Sequence, residues 1–382
     1  MKKYLFSALL LGSSLYNPCI LRANMLPSQS GQRVIDEQSI LEKVQRMLPK
    51  VHGYLQAGYN YGNKQGDNTS SFKVNRLRLF IDKEINKTFD LRVQTELFSG
   101  SFDGTKYHKR VMTVMDAYVN INVDKRFKMR VGQYFVPLGF ENYNISPATL
   151  ELVNFSDICY RMECRNAISS PYLIDYGRDI GVMVHGDLFE NTEKGFSYLN
   201  YVLSVANGSI PTLNDDNKSK DIVGRLTVQP VKDLLLMGSY SWGESQGLGL
   251  GEQMSKYMPL HRMVAGAWYK TSQGLSIRAE YGQMWSQLGG QQVVDEAGFY
   301  AVVSHRFGRF TPVVKYELYR DRMQKTSAVN RNQAVAGLSY QIHPSVKLQV
   351  DYGLVYYPQA VLDAGVRDGL GDRFNAVLLV KF

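Results

Sequence analysis

The chain has 382 residues, 44 Lys and Arg against 35 Asp and Glu, and a formal net charge of +9. It carries 25 Tyr and 17 Phe but only 3 Cys and 12 Pro, with a mean hydropathy of -0.25. That balance excludes a disulfide-rich scaffold, and after residue 23 no apolar run reaches the ~18 residues that a spanning helix needs.

Lys2 and Lys3 precede an apolar run from Leu5 to Leu15, with Ala23 as a small residue for cleavage. This order marks residues 1–23 as a secretory signal peptide. Cys19 lacks the small preceding residue that a lipid anchor requires. Loss of Lys2, Lys3 and Arg22 with the signal takes the charge from +9 to +6. An excess of that size suits an anion path and equally suits ordinary solubility. Residues 24–49 form an N-terminal segment in which Ser39-Ile40-Leu41-Glu42 fits a capping box, Ile40, Leu41, Val44 and Leu48 recur at helical spacing, and Pro49 ends the pattern. A short periplasmic helix is expected there.

From Lys50 the sequence breaks into sixteen alternating segments: 50–61, 72–84, 87–98, 110–123, 126–136, 178–188, 196–207, 221–229, 233–242, 260–271, 274–286, 295–307, 310–321, 330–342, 345–356 and 372–382. Each suffices to cross a hydrocarbon layer as a tilted strand, which takes about nine to eleven residues. In the third, Phe89, Leu91, Val93 and Leu97 share one face and Asp90, Arg92, Gln94 and Glu96 the other. Odd-numbered connections are long and even-numbered ones mostly two or three residues, such as Asp124-Lys125 and His343-Pro344. One-sided long loops are the mark of a bacterial outer-membrane barrel with both ends in the periplasm. The expected fold is all-β: a transmembrane antiparallel barrel over 50–382.

The last segment places Phe374, Ala376, Leu378, Val380 and Phe382 on one face, with Asn375 and Lys381 on the other. It reads as the closing strand, with Phe382 as the signal read by the barrel assembly machinery. Its apolar face is expected to meet outer-membrane lipid.

A charged side chain facing lipid at midplane costs ~2–4 kcal/mol for Arg or Lys, so the polar parity of each strand must face a lumen. That parity holds Arg76 and Arg78, then Arg92 with Asp90, Gln94 and Glu96, then Asp116, Tyr118, Asn120 and Asn122. Lys128, Arg130 and Tyr134 follow, and later Arg225, Arg278, Glu280, Lys315 and Glu317. Fixed guanidinium charge in a low-dielectric pore lowers the barrier for anions, so Arg76, Arg78, Arg92, Lys128 and Arg130 are candidates for an anion path. The competing reading is that Arg and Glu on adjacent strands pair across the wall and only hold its shape.

Residues 137–177 are too long for an idle connection and are expected to fold inward as a constriction loop. Arg161 and Arg165 are its candidate pore cations, set against Glu141, Glu151, Asp157, Glu163 and Asp175, which weigh against strong anion selection. Cys159 and Cys164 are the two cysteines left after signal removal, and an exported protein permits a bridge between them. No metal site, cofactor or nucleic-acid partner is expected. Gly243-Glu244-Ser245-Gln246-Gly247 matches G-x-S-x-G without the strand-turn-helix that a nucleophile elbow needs, and no enzyme is expected.

Several motifs in order add a resemblance. Val131-Gly132-Gln133-Tyr134-Phe135-Val136-Pro137-Leu138-Gly139-Phe140-Glu141, Arg178-Asp179-Ile180-Gly181-Val182, Arg76-Leu77-Arg78-Leu79, Asp116-Ala117-Tyr118-Val119 and Ala206-Asn207-Gly208 together resemble the phosphate-selective porin O and P family of outer-membrane channels. The resemblance implies a homotrimer of sixteen-stranded barrels, a third loop inside the lumen, and passive diffusion of small anionic solutes such as phosphate. This third loop has no lysine, unlike the family's phosphate-selective members. A surface barrel whose outer loops bind a ligand or host partner is the alternative.

Overall fold

The computed structural model describes residues 48–63, 69–102, 107–164, 177–209, 211, 218–245, 248, 256–365 and 371–382. The signal peptide and the expected N-terminal helix lie outside the described residues. Sixteen strands run in chain order: β1 Lys50–Gly62, β2 Thr69–Glu84, β3 Phe89–Phe102, β4 Tyr107–Asp124, β5 Phe127–Phe135, β6 Arg178–Asn191, β7 Phe196–Ala206 and β8 Asp221–Val231. The second half comprises β9 Leu234–Ser245, β10 Met258–Lys270, β11 Leu275–Leu288, β12 Gln291–His305, β13 Phe310–Asp321, β14 Arg331–His343, β15 Val346–Tyr356 and β16 Arg373–Lys381. Each strand pairs antiparallel with its sequence neighbours, and β1 pairs with β16 from Tyr54↔Lys381 to Gly62↔Arg373, which closes the barrel. Closure satisfies every edge, the condition for a sheet in lipid.

Sixteen strands were expected and sixteen are found. One difference in bounds lies between β11 and β12, where an eight-residue connection was expected. There the strands extend to a turn at Gly289 and Gly290, whose φ values of 59° and 81° suit a tight hairpin. Gly243-Glu244-Ser245 ends strand β9, with no helix following among the described residues.

The burial pattern is inverted relative to a water-soluble sheet. On β16 the outward Leu378 is 40% exposed and Phe382 61%, whereas inward Asn375, Val377 and Leu379 are buried. Outward apolar side chains such as Val131, Val182, Leu203 and Leu226 are exposed, and inward Arg78, Glu96, Arg178, Asp116, Arg278 and Glu280 are buried. Phe382 completes the seam: its backbone exchanges hydrogen bonds of 2.8 and 3.0 Å with Gly53, and its ring lies where a Cβ at Gly53 would stand. Outward aromatic rings cluster near both rims, with Tyr240 and Trp285 toward the long loops and Phe310 and Tyr340 toward the short turns. Such girdles are what an apolar band between two interfaces produces.

Candidate functional site

The segment after β5 turns into the barrel. Val136 N donates to Gly177 O at 2.9 Å, Gly139 adopts φ 70°, and helix α1 spans Phe140–Asn144. A single π-helical turn covers Cys159–Glu163.

Acidic wall residues receive the loop's backbone amides. Phe140 N donates to Glu280 at 2.7 Å, Val153 N to Asp351 at 2.9 Å and Asp157 N to Glu317 at 2.9 Å. Basic wall residues take its carbonyls and carboxylates. Lys347 donates to Leu150 O at 3.2 Å, Arg262 to Met162 O at 3.1 Å, and Arg225 to Gly139 O and Asn144. Arg278 on β11 lies 3.1 Å from Glu151 and 3.3 Å from Glu141, and Arg331 on β14 lies 2.7 Å from Asp157. Apolar seating accompanies these bonds: Phe140, Leu152, Ile158 and Met162 of the loop are all buried. Leu152, Ile158 and Met162 pack with Met258, Leu260, Met284, Tyr300, Val302 and Val313 of the wall. Full burial is worth ~1.5–3 kcal/mol per such side chain, so the apolar seat rivals the ion pairs in strength.

Three of the five loop carboxylates, Glu141, Glu151 and Asp157, are therefore turned to wall arginines, while Glu163 accepts from the loop's own Asn142 N at 3.0 Å and Asp175 lies outside the described residues. Burial raises the Glu151 and Asp157 pKa values, but Arg278 and Arg331 outweigh it and hold both below the ordinary carboxylate range. Glu163 behaves oppositely. Burial and then the neighbouring Glu280 and Glu141 push it well above 4.5, and its Oε1 has no hydrogen-bond partner. It packs over Gly139, where a Cβ would collide with it.

The sequence candidates separate accordingly. Arg76 is half-buried, bonds Gln56 at 2.5 Å and reaches Val153 O at 3.3 Å, so it also touches the loop. Arg78 is buried on Glu96 at 2.9 Å and Arg92 binds Asp82 at 2.6 Å. Arg161 is committed to Glu296 at 3.1 Å and lies over the Tyr319 ring, so it is a wall contact in place of the pore cation expected. Arg165 lies outside the described residues. Lys128 and Arg130 differ from all of these. Both are half-buried on the inward face of β5, opposite Asn122 and Asn120, and neither has a carboxylate partner among the described residues. Arg130 bonds Asn120 at 2.8 Å and stacks over Tyr118 at 4.0 Å.

The expected bridge is not formed. Cys159 and Cys164 are free thiols with Sγ atoms 3.9 Å apart, a contact and not a bond. Both are buried, and burial, then Cys164 itself, raises the Cys159 thiol and so disfavours the thiolate that oxidation requires. Sequence reading missed Arg262, Glu296, Arg331, Lys347 and Asp351 as anchors. Their strands carry apolar residues on both faces, for example Met258, Leu260 and Val264 inward on β10, and the alternation that flags a lumen is blurred.

Residues 50–230 match the family model described as phosphate-selective porin O and P. No curated protein matches. Among solved structures, the anion-selective porin from Comamonas acidovorans aligns with a TM-score of 0.58 at 12% identity, covering 87% of this chain and 99% of that one. OmpT of Vibrio cholerae in its trimer form aligns at 0.58 and 11% identity, over 87% and 99%. Salmonella typhi OmpF in complex with daunomycin aligns at 0.59 and 12% identity, over 87% and 97%. At such identities the structures establish the shared fold, and the family match over residues 50–230 supports reading the chain as an outer-membrane porin.

Proposed function

We propose that this porin passes small anions by passive diffusion through the part of the lumen that the loop leaves open along the short-turn halves of β3–β5. The observation that carries the reading is the pair Lys128 and Arg130, inward, half-exposed and without carboxylate partners among the described residues, beside a loop whose Glu141, Glu151 and Asp157 are spent on wall arginines. Two unit charges 4 Å apart interact by ~1 kcal/mol in water and ~4 kcal/mol at an effective dielectric of 20. An anion beside this pair therefore gains enough to offset part of its lost hydration, but not so much that it stays bound, which is the condition for flux.

Phosphate is one candidate solute. The loop, residues 137–177, acts as the constriction, its described part being anchored by side chains from β8 to β15 and reached from β2 by Arg76. The barrel opens its long loops outward and keeps its short turns, Leu48 and Phe382 on the periplasmic side, as a homotrimer like the trimer form of OmpT. Phe382, at the seam, serves as the assembly signal.

Planar-bilayer recording in a salt gradient tests the selectivity. An anion-selective reversal potential is expected, and block of chloride current by added phosphate would identify phosphate as a preferred solute. A cation-selective potential sinks the reading, and absence of any current favours a surface receptor.

A further inference from the structure

Charge pairing explains how the loop is held but not why it lies so close to the wall. Gly282 on β11 and Gly298 on β12 face inward and stand directly opposite one another in the strand register. A Cβ added at Gly282 would come within 3.0 Å of Ile158 Cγ2 and 2.9 Å of Met162 Sδ. One added at Gly298 would come within 2.8 Å of Ile158 Cγ1 and 2.9 Å of the Tyr319 ring. Ile158, 1% exposed, thus fills the space that two missing side chains leave on adjacent strands. The same device recurs to either side. At Gly337 a Cβ would meet Leu152 Cδ2 at 2.7 Å, and at Gly266 it would meet Phe140 Cε2 at 3.2 Å.

Glycine weakens a strand interior, having no side chain to pack and more backbone freedom to lose. Two glycines facing each other in a spanning hairpin therefore need a reason, and neither has positive φ. The reason on the page is close approach by another part of the chain.

We infer that Gly282 and Gly298 form a socket for Ile158 that seats the constriction loop against the wall and thereby sets the bore. These glycines are specificity-determining positions that never touch the solute. The seating stands on packing alone; its consequence for the bore rests on the constriction reading proposed above. Because interiors are close-packed, a branched side chain placed in the socket cannot share the volume with Ile158 and the loop must rise.

The test uses the full-length porin with Gly298→Val, and the same change combined with Ile158→Ala, which conserves the total of side-chain carbons at the contact. Heat-modifiable gel mobility verifies that each barrel is folded. In the single variant, trypsin is expected to cleave after Arg161, which in the native protein is held against Glu296 and is expected to resist, and liposome swelling is expected to admit larger sugars than the native channel. In the double variant, protection and the native size limit return. A folded single variant that remains protected overturns the socket, as does cleavage that the second substitution fails to reverse. Cleavage with rescue but an unchanged size limit supports the socket and overturns the constriction reading instead. Should Gly298→Val not fold, Gly282→Val with and without Ile158→Ala is judged by the same outcomes.

Discussion

The two sides of this barrel wall differ in what covers them. On the short-turn halves of β3–β5 the inward face is polar and half-exposed, and Arg92, Asp90, Asn120, Asn122, Lys128 and Arg130 look onto the lumen, while farther along β2–β6 Arg78, Glu96, Asp116 and Arg178 are buried. On β10–β14 the inward face is buried beneath the loop and mixes apolar residues with ions, such as Leu260 beside Arg262 and Tyr300 beside Val302. An inward arginine thus has two meanings. On the covered side Arg278 and Arg331 are clamps, whereas on the open side Lys128 and Arg130 keep their charge for the lumen.

Removing a clamp should separate the two sides most strongly. Arg278→Ala leaves the Glu141 and Glu151 carboxylates without their cation, a loss of ~3–5 kcal/mol for a broken buried pair. The loop is expected to become protease-sensitive while the barrel stays folded by gel mobility; a protected loop in the variant would show that the apolar seat suffices. On the open side, Lys128→Glu with Arg130→Glu should shift the anion-to-cation permeability ratio by about tenfold or more, ~1.4 kcal/mol, read from the reversal potential. Arg161→Gln, on the covered side, should leave that potential unchanged, and an equal shift in both variants would erase the distinction between the sides.

A smaller effect concerns pH. The docked Glu163 has a pKa above its ordinary 4.5, so the docked loop keeps a proton that a free loop releases. Docking is therefore penalised progressively as pH rises above about 4.5 until the docked group itself ionises, and the penalty is absent below. Glu151 and Asp157 have the opposite sign. Their contribution is complete above the ordinary carboxylate range and is lost as pH falls through their lowered values. Loop protection measured across pH should fall on the alkaline side in the native protein and stay flat there in Glu163→Gln; parallel curves would refute the assignment. Phe382→Ser should touch neither side. It is expected to lower the yield of assembled barrel and leave the current of those that assemble unchanged, and altered single-channel current would place Phe382 in the pore's mechanism.

Much of this molecule is legible in its sequence. Period-two alternation, as in Phe89 to Leu97 or Phe374 to Phe382, fixes strands, faces and closure because lipid outside and water inside impose opposite demands on adjacent residues. Long and short hairpins in alternation order the strands. The lumen-facing parity of Arg76, Arg78, Arg92, Lys128 and Arg130 follows from the same rule.

What that pattern could not determine is which inward charges remain available. Arg78, Arg92 and Arg130 look alike in a strand, yet Glu96 and Asp82 neutralise the first two and only asparagine faces the third. Likewise the acids of 137–164 read as a negative constriction until the fold turns Glu141, Glu151 and Asp157 onto arginines from strands more than a hundred residues away. The sequence by itself determined the barrel, since alternation is a local response to solvent on two sides. Tertiary structure alone decided where the loop lies and which charges it leaves free, because both depend on contacts between residues distant in the chain.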